Sequence, residues 1–199
     1  MPTVGSVLLP PTCPLCRRPG EPVCRSCLAA AGPAPALPPP LHLDELTVLV
    51  DYHRASSLVT GLKNGHRRQV LGPLAAALAV RAQPPPGALV TWAPTTAARR
   101  RSRGFDQAEL LARALARRWG LRCLPLLARA GGPQSGQGRR ARRRGPAFAC
   151  GRRVRAPVVL VDDVVTTGAT LTAAARALRA AGAPAVHGVA IARAERSSA

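Results

Sequence analysis

Apolar residues along the chain alternate between two spacings. Short runs dense in β-branched residues read as strands, and stretches with an apolar residue every three or four positions read as helices. The first strand spans Thr47 to Tyr52. A helix begins near Pro73, a residue suited to a first helical position, and runs to the stop at Pro84-Pro85-Pro86. Leu89-Val90-Thr91-Trp92-Ala93 is the next strand. Gly104-Phe105-Asp106-Gln107 then opens a helix with the stripe Ala108, Leu111, Ala112, Leu115, Ala116 and Trp119. Asp106 and Glu109 give that helix an acidic first turn, and Gly120 ends it. Leu121 to Leu127 reads as a third strand, Val158 to Val161 as a fourth and Ala185 to Ala192 as a fifth. Five strands alternating with helices predict an α/β fold with a mostly parallel five-stranded sheet flanked by helices.

The fourth strand ends unusually. Val158-Val159-Leu160-Val161 has the continuous apolar character of a strand buried on both faces, and it stops at the adjacent acids Asp162 and Asp163. Thr166-Thr167-Gly168-Ala169-Thr170 follows. Leu171, Ala174, Ala175 and Leu178 then recur at helical spacing up to Gly182 and Pro184. Small and hydroxyl-bearing residues at a helix start let backbone N–H groups approach an anion. Two carboxylates beside such a cradle would repel a phosphate unless they served another part of the ligand. Ribose hydroxyls need acceptors and Mg2+ needs anionic surroundings, so a sugar phosphate satisfies both features. The plainer alternative is an ordinary sheet-to-helix turn with a capping Asp.

Near the N-terminus, Cys13-Pro14-Leu15-Cys16 and Cys24-Arg25-Ser26-Cys27 form two C-x-x-C knuckles. Each can place two thiolates on one tetrahedral metal, which suits a structural Zn2+ bound by Cys13, Cys16, Cys24 and Cys27. A redox or metal-free pair is the alternative. Cys123 and Cys150 read as small core residues, and the histidines lack ligand spacing. The Pro-rich stretch from Ala31 to Pro40 reads as a linker. It divides a zinc-finger-like segment, residues 1–30, from the main domain, residues 41–199.

Composition adds charge. The net charge is +20, and Lys63 is the only lysine among 29 basic residues. A field this positive favours polyanions: nucleotides, pyrophosphate or DNA. Aromatic residues make up only 3%, which argues against base stacking as a recognition mode. No apolar run approaches the length of a membrane span, and the expected location is the cytoplasm. Gly131 to Gly138, followed by Arg139, Arg140, Arg142, Arg143 and Arg144, reads as a cationic loop. A solvated charge run is the alternative for any one of these arginines.

The apolar strand, two acids, two variable residues and Thr-Thr-Gly-x-Thr resemble the phosphoribosyl pyrophosphate (PRPP) signature of type I phosphoribosyltransferases. Three further features precede it: the paired knuckles, Arg103-Gly104-Phe105-Asp106-Gln107 after an Arg-rich loop, and Pro133-Gln134-Ser135-Gly136 followed by arginines and Ala147-Phe148. Together they resemble the ComF family, phosphoribosyltransferase-like proteins linked to competence and DNA uptake. Many members have Asn where this chain has Asp106, and a Val-Pro-Val-Pro strand end where it has Trp92-Ala93-Pro94.

The resemblance implies a type I phosphoribosyltransferase fold, Mg2+ bound with PRPP, and a zinc-finger-like N-terminus. It makes Asp162 and Asp163 the catalytic pair that accepts the ribose 2′ and 3′ hydroxyls. Thr166, Thr167, Gly168, Ala169 and Thr170 would wrap the 5′-phosphate. Pro94, Thr95, Thr96 and Ala97 would meet the pyrophosphate, and Arg139, Arg140, Arg142 and Arg143 would belong to a flexible closing loop. Three functions follow as expectations. One is an enzyme moving phosphoribose to an acceptor. Another is a non-enzymatic competence factor binding single-stranded DNA or a DNA-translocating ATPase. The third is a PRPP-sensing regulator docking through its zinc segment.

Overall fold

The computed structural model describes residues 10–34, 38–63, 68–130 and 146–194. Its elements in chain order are α1 (Arg25–Ala31), β1 (Glu45–Asp51), α2 (Tyr52–Lys63), α3 (Leu71–Arg81) and β2 (Leu89–Trp92). They continue with α4 (Ala97–Arg103), α5 (Gln107–Trp119), β3 (Arg122–Cys123), β4 (Leu127–Ala130) and β5 (Ala147–Cys150). β6 (Val158–Val165), α6 (Ala169–Ala180) and β7 (Val186–Arg193) complete the fold.

Five strands form one sheet in the order β1-β7-β6-β2-β3, and every neighbouring pair is parallel. The α/β class with a parallel five-stranded sheet is therefore observed. β6 sits at the centre. Val159 and Val161 face a core with Leu74 and Leu78 of α3 and Leu111 and Leu115 of α5, while Val158 and Leu160 face Leu171 and Leu178 of α6. Leu171 and Leu178 are completely buried, which contributes roughly 1.5–3 kcal/mol each. Trp119 ties the two helices of the first layer by donating from Nε1 to the Ala79 carbonyl at 3.2 Å.

Chain direction across the sheet decides where a ligand fits. From β6 the chain crosses through α6 to β7 on one side, and from β2 it crosses through α4 and α5 to β3 on the other. β2 and β6 are adjacent, paired from Leu89↔Val158 to Trp92↔Val161. Their carboxyl ends therefore flank a point where the winding reverses, the usual binding crevice of open α/β sheets.

Three expectations about elements need correction. The stretch from Leu121 to Leu127 is not one strand: β3 is two residues long, and β4 begins a separate antiparallel hairpin with β5. Pro125, with no N–H to give a ladder, stands between them, and the Leu126 N–H is shared between the Leu124 carbonyl at 3.0 Å and Thr91 Oγ1 at 3.3 Å. β6 does not stop at the acids but carries them inside it, because pairing with β7 continues through Asp162↔Ala190 to Val165↔Arg193. The arginine stretch before Gly104 is a helix, α4, with Thr96 Oγ1 accepting from the Arg99 N–H at one end and left-handed Gly104 (φ 76) at the other. No residue of α4 is buried, so its sequence carries no apolar stripe.

The N-terminal segment packs onto this domain. Val23 and Ala31 are buried in the same cluster as Leu74 and Leu111. Pro40, at the end of the Pro-rich stretch, lies over the start of α6: a Cβ on Gly168 would come within 2.9 Å of its Cγ.

Candidate functional site

A cavity of about 330 Å3 opens at the carboxyl ends of β2 and β6. On one side it is lined by Asp162, Asp163, Val164, Thr166 and Thr170. On the other stand Pro94, Thr95, Arg99, Arg103, Asp106 and Gln107, with Arg129 of β4 reaching in. A regular strand points adjacent side chains to opposite faces, yet both acids line this one space. The strand's alternation reverses at the pair: Val161 packs on the α5 side, and so does Val164, while Val165 packs on the α6 side. The acids bond locally there. Asp162 Oδ1 accepts from the Asp163 N–H and Asp163 Oδ1 from the Val164 N–H, each at 2.8 Å.

Asp162 is 8% exposed. Burial, reinforced by the charge of Asp163, raises its pKa well above the usual carboxylate range. Two crowded carboxylates of this kind fit hydroxyl donors or a divalent cation with oxygen ligands, since either relieves the repulsion. A smaller hollow of about 20 Å3 adjoins the cavity and is lined by Asp162 and by Val164 through Leu171. It lies at the first turn of α6, where N–H groups lack partners within the helix and the dipole favours negative charge. Gly168 makes the turn in the left-handed region (φ 74), which suits glycine, and Thr167 Oγ1 accepts from the Ala169 N–H at 3.3 Å.

The opposite wall is framed by Asp106, the N-cap of α5, which is 4% exposed. Its Oδ1 accepts from the Ala108 and Glu109 N–H groups at 3.1 and 3.4 Å, and its Oδ2 accepts from the Thr95 N–H at 2.8 Å. One carboxylate thus starts the helix and fixes the loop after β2. Burial outweighs these hydrogen bonds and leaves its pKa raised. Arg129 ties the hairpin to the same loop: its Nη1 donates to the Pro94 carbonyl at 3.3 Å, and its guanidinium lies 5.3 Å from the Phe148 ring centroid.

The sequence-derived candidates distribute as follows. Pro94, Thr95, Asp162, Asp163, Thr166 and Thr170 meet at the cavity, and Thr167, Gly168 and Ala169 line the adjoining hollow. Thr96 caps α4 and Ala97 begins it, and neither lines the cavity. Arg139, Arg140, Arg142 and Arg143 lie outside the described residues. Arg99, Arg103, Gln107 and Arg129 escaped the sequence reading as site residues. Gln107 carried a signal, being a polar residue just inside a helix start whose stripe should face the core.

The four cysteines form a second centre. The sulfurs of Cys13, Cys16, Cys24 and Cys27 all lie within 4.8 Å of one another, with Cys16 and Cys24 3.7 Å apart. Tetrahedral Zn–S bonds of about 2.3 Å require sulfur separations of roughly 3.8 Å, so the donor set fits Zn2+. The first knuckle is closed by the Arg17 N–H donating to the Cys13 carbonyl at 2.8 Å and the Cys13 N–H donating to the Arg18 carbonyl at 3.0 Å. Burial opposes charge on Cys13, but N–H groups led by that of Cys24 outweigh it and lower its pKa to about 6. The hydrogen bond to Cys16 pushes Cys24 up to about 12.

The fold and cleft define a parallel α/β protein with a hollow at a helix start and an acid pair at its winding reversal. In agreement, residues 156–198, which contain β6, α6 and β7, match the family described as phosphoribosyl transferase domain. The match supports a phosphoribosyltransferase-like domain, a class that implies PRPP binding and typically uses Mg2+. No curated protein matches the chain. No helix among the described residues is long and apolar enough to cross a membrane.

Proposed function

We propose that the protein is a ComF-type phosphoribosyltransferase that binds PRPP with Mg2+ in this cleft, transfers phosphoribose to an acceptor and releases pyrophosphate. One observation carries the reading: an acid pair and a hollow at the start of α6 share one strand end, inside the segment similar to a phosphoribosyl transferase domain. The loop from Thr166 to Thr170 holds the 5′-phosphate at the start of α6. Asp162 and Asp163 accept the ribose hydroxyls and orient the sugar. Pro94 and Thr95, with Thr96 and Ala97 behind them, flank the pyrophosphate, and Arg139, Arg140, Arg142 and Arg143 close over it.

Breaking the bond from C1′ to pyrophosphate leaves positive character on the sugar and negative charge on the leaving group. Asp162 and Asp163 would help hold Mg2+, which would neutralise part of that charge. Arg99, Arg103 and Arg129 add fixed positive charge to the wall near Thr95. No side chain need act as nucleophile, since the acceptor attacks C1′ and the protein positions the sugar and excludes water. Residues 1–30 form a zinc-bound structural segment, 31–40 a linker and 41–199 the transferase domain. Incubating the protein with Mg2+-PRPP and panels of purines, pyrimidines, amines and nucleic acid ends tests the transfer. Pyrophosphate release with one class supports it, and no release with any contradicts it.

The net charge of +20 favours a second reading, a non-enzymatic factor that binds single-stranded DNA or a DNA-translocating ATPase. Phosphate contacts would dominate the DNA interaction, so affinity must fall steeply between about 50 and 200 mM salt. Salt-independent binding would contradict that reading.

A further inference from the structure

Gln107 lies in the first turn of α5, is 5% exposed and lines the cleft. Its amide is satisfied on one side only. Oε1 accepts from Arg103 Nη1 at 3.2 Å, whereas Nε2 is closed to solvent and has no hydrogen-bond partner among the described residues. A buried donor left unpaired is costly. Its helix neighbours Ala108 and Leu111 are buried and apolar, so an apolar residue here would avoid that cost.

Turning the amide over gives no relief, because Nε2 would then meet the Arg103 guanidinium, donor against donor. Arg103 therefore fixes which half of the amide remains for the cleft, and that half only donates. The last torsion of a glutamine side chain is soft, so the amide is free to turn its N–H to a ligand in the cavity that Gln107 lines. Arg99, Arg103 and Arg129 on the same wall are likewise donors without acceptor capacity. Among the acids, Asp106 already receives N–H bonds on both oxygens, and Asp162 and Asp163 stand across the cleft. What fits against this wall is an acceptor-rich, anionic group placed away from the α6 hollow.

We infer that Gln107, oriented by Arg103, donates a hydrogen bond to a phosphoryl oxygen of the ligand's pyrophosphate half. The inference rests on the PRPP reading above and deepens it. Gln107 thereby distinguishes ligands carrying a polyphosphate at C1′ from those carrying the 5′-phosphate alone.

Calorimetric titration of the full chain with Mg2+-pyrophosphate and, separately, with ribose 5-phosphate tests it. Gln107→Met keeps the length of the side chain and removes the donor. It should weaken pyrophosphate binding by roughly tenfold or more, the loss of one hydrogen bond to a charged group, and leave ribose 5-phosphate binding unchanged. Gln107→Glu, which can still pair with Arg103, should weaken pyrophosphate binding further by like-charge repulsion. Removal of an unpaired donor also predicts that Gln107→Met melts no lower than the wild type without ligand. Wild-type affinity for pyrophosphate in Gln107→Met would overturn the inference, as would equal losses for both ligands. A wild type that binds ribose 5-phosphate but not pyrophosphate overturns it too and leaves the sugar-phosphate site standing. A wild type that binds neither ligand nor PRPP overturns it together with the reading beneath it.

Discussion

The wall of the cleft from Asp162 to Thr170 and the wall from Pro94 to Gln107 do comparable work by different means. The first sets its two carboxylates beside main chain: a strand end, a left-handed glycine and the first turn of α6 around a 20 Å3 hollow. The second is side chain: a buried carboxylate holds three N–H groups, and arginines from α4 and β4 supply the charge. A backbone wall needs few residue identities but strict order. A side-chain wall tolerates varied order but depends on single anchoring residues.

That contrast makes Asp106→Ala the most damaging stability change among these predictions. It removes the N-cap of α5 and leaves the Thr95 N–H unpaired, partly offset by relief of a buried carboxylate, for a net loss of about 2 kcal/mol. Asp106→Asn keeps the cap, loses the tie to Thr95, and should fall between. Denaturant unfolding of the three proteins ranks them, and an Ala variant as stable as the wild type would show that this wall does not hang on one anchor.

Gly168→Ala tests the backbone wall. A left-handed alanine costs roughly 1–2 kcal/mol, and its Cβ would come within 2.9 Å of Pro40 Cγ. Mg2+-PRPP affinity should fall along with stability. Unaltered binding would mean that the hollow at α6 is not where the phosphate rests.

Titration sharpens the comparison further. Asp162 has a raised folded pKa, so between the unfolded value of about 3.9 and the raised one the folded protein holds the extra proton. Ligand-free stability should therefore decrease as pH rises through that window. Asp162→Asn should melt higher than the wild type above the window and lose part of this pH dependence. PRPP binding through ionised acids should release a proton inside the window, measurable as a buffer-dependent binding enthalpy. A ligand-free Asp162→Asn that melts lower than the wild type would contradict the buried-charge account.

The smallest effect on the cleft is expected from the cysteines. Chelating metal, or replacing Cys13 and Cys16 with Ser, should abolish a stoichiometric zinc signal and lower stability, because Val23 and Ala31 lose their anchored segment on the core. PRPP affinity of the protein that remains folded should not change, since no cysteine lines the cleft.

The same contrast explains what the sequence disclosed. The wall at β6 was legible because β-branched residues, adjacent acids and a Thr-Thr-Gly-Ala-Thr loop are all local signals. Helices α5 and α6 were legible from their stripes, and the four-cysteine centre from its spacing. The facing wall was not, because α4 buries nothing and so shows no period. Arg129 reaches the cleft from a hairpin whose pairing with residues 147–150 is non-local. Asp106 looked like ordinary first-turn acidity, and its second role, fixing Thr95, exists only once β2 and α5 are side by side.

The most direct measurement is a thermal melt with and without saturating Mg2+-PRPP, on the wild type and on Asp162→Asn/Asp163→Asn. At a hundred times Kd, binding adds roughly 2.7 kcal/mol, several degrees for a domain of this size. A wild-type shift that the folded double variant loses is the predicted result. No shift in the folded, zinc-loaded wild type, or an equal shift in both proteins, would contradict the assignment of this cleft to PRPP.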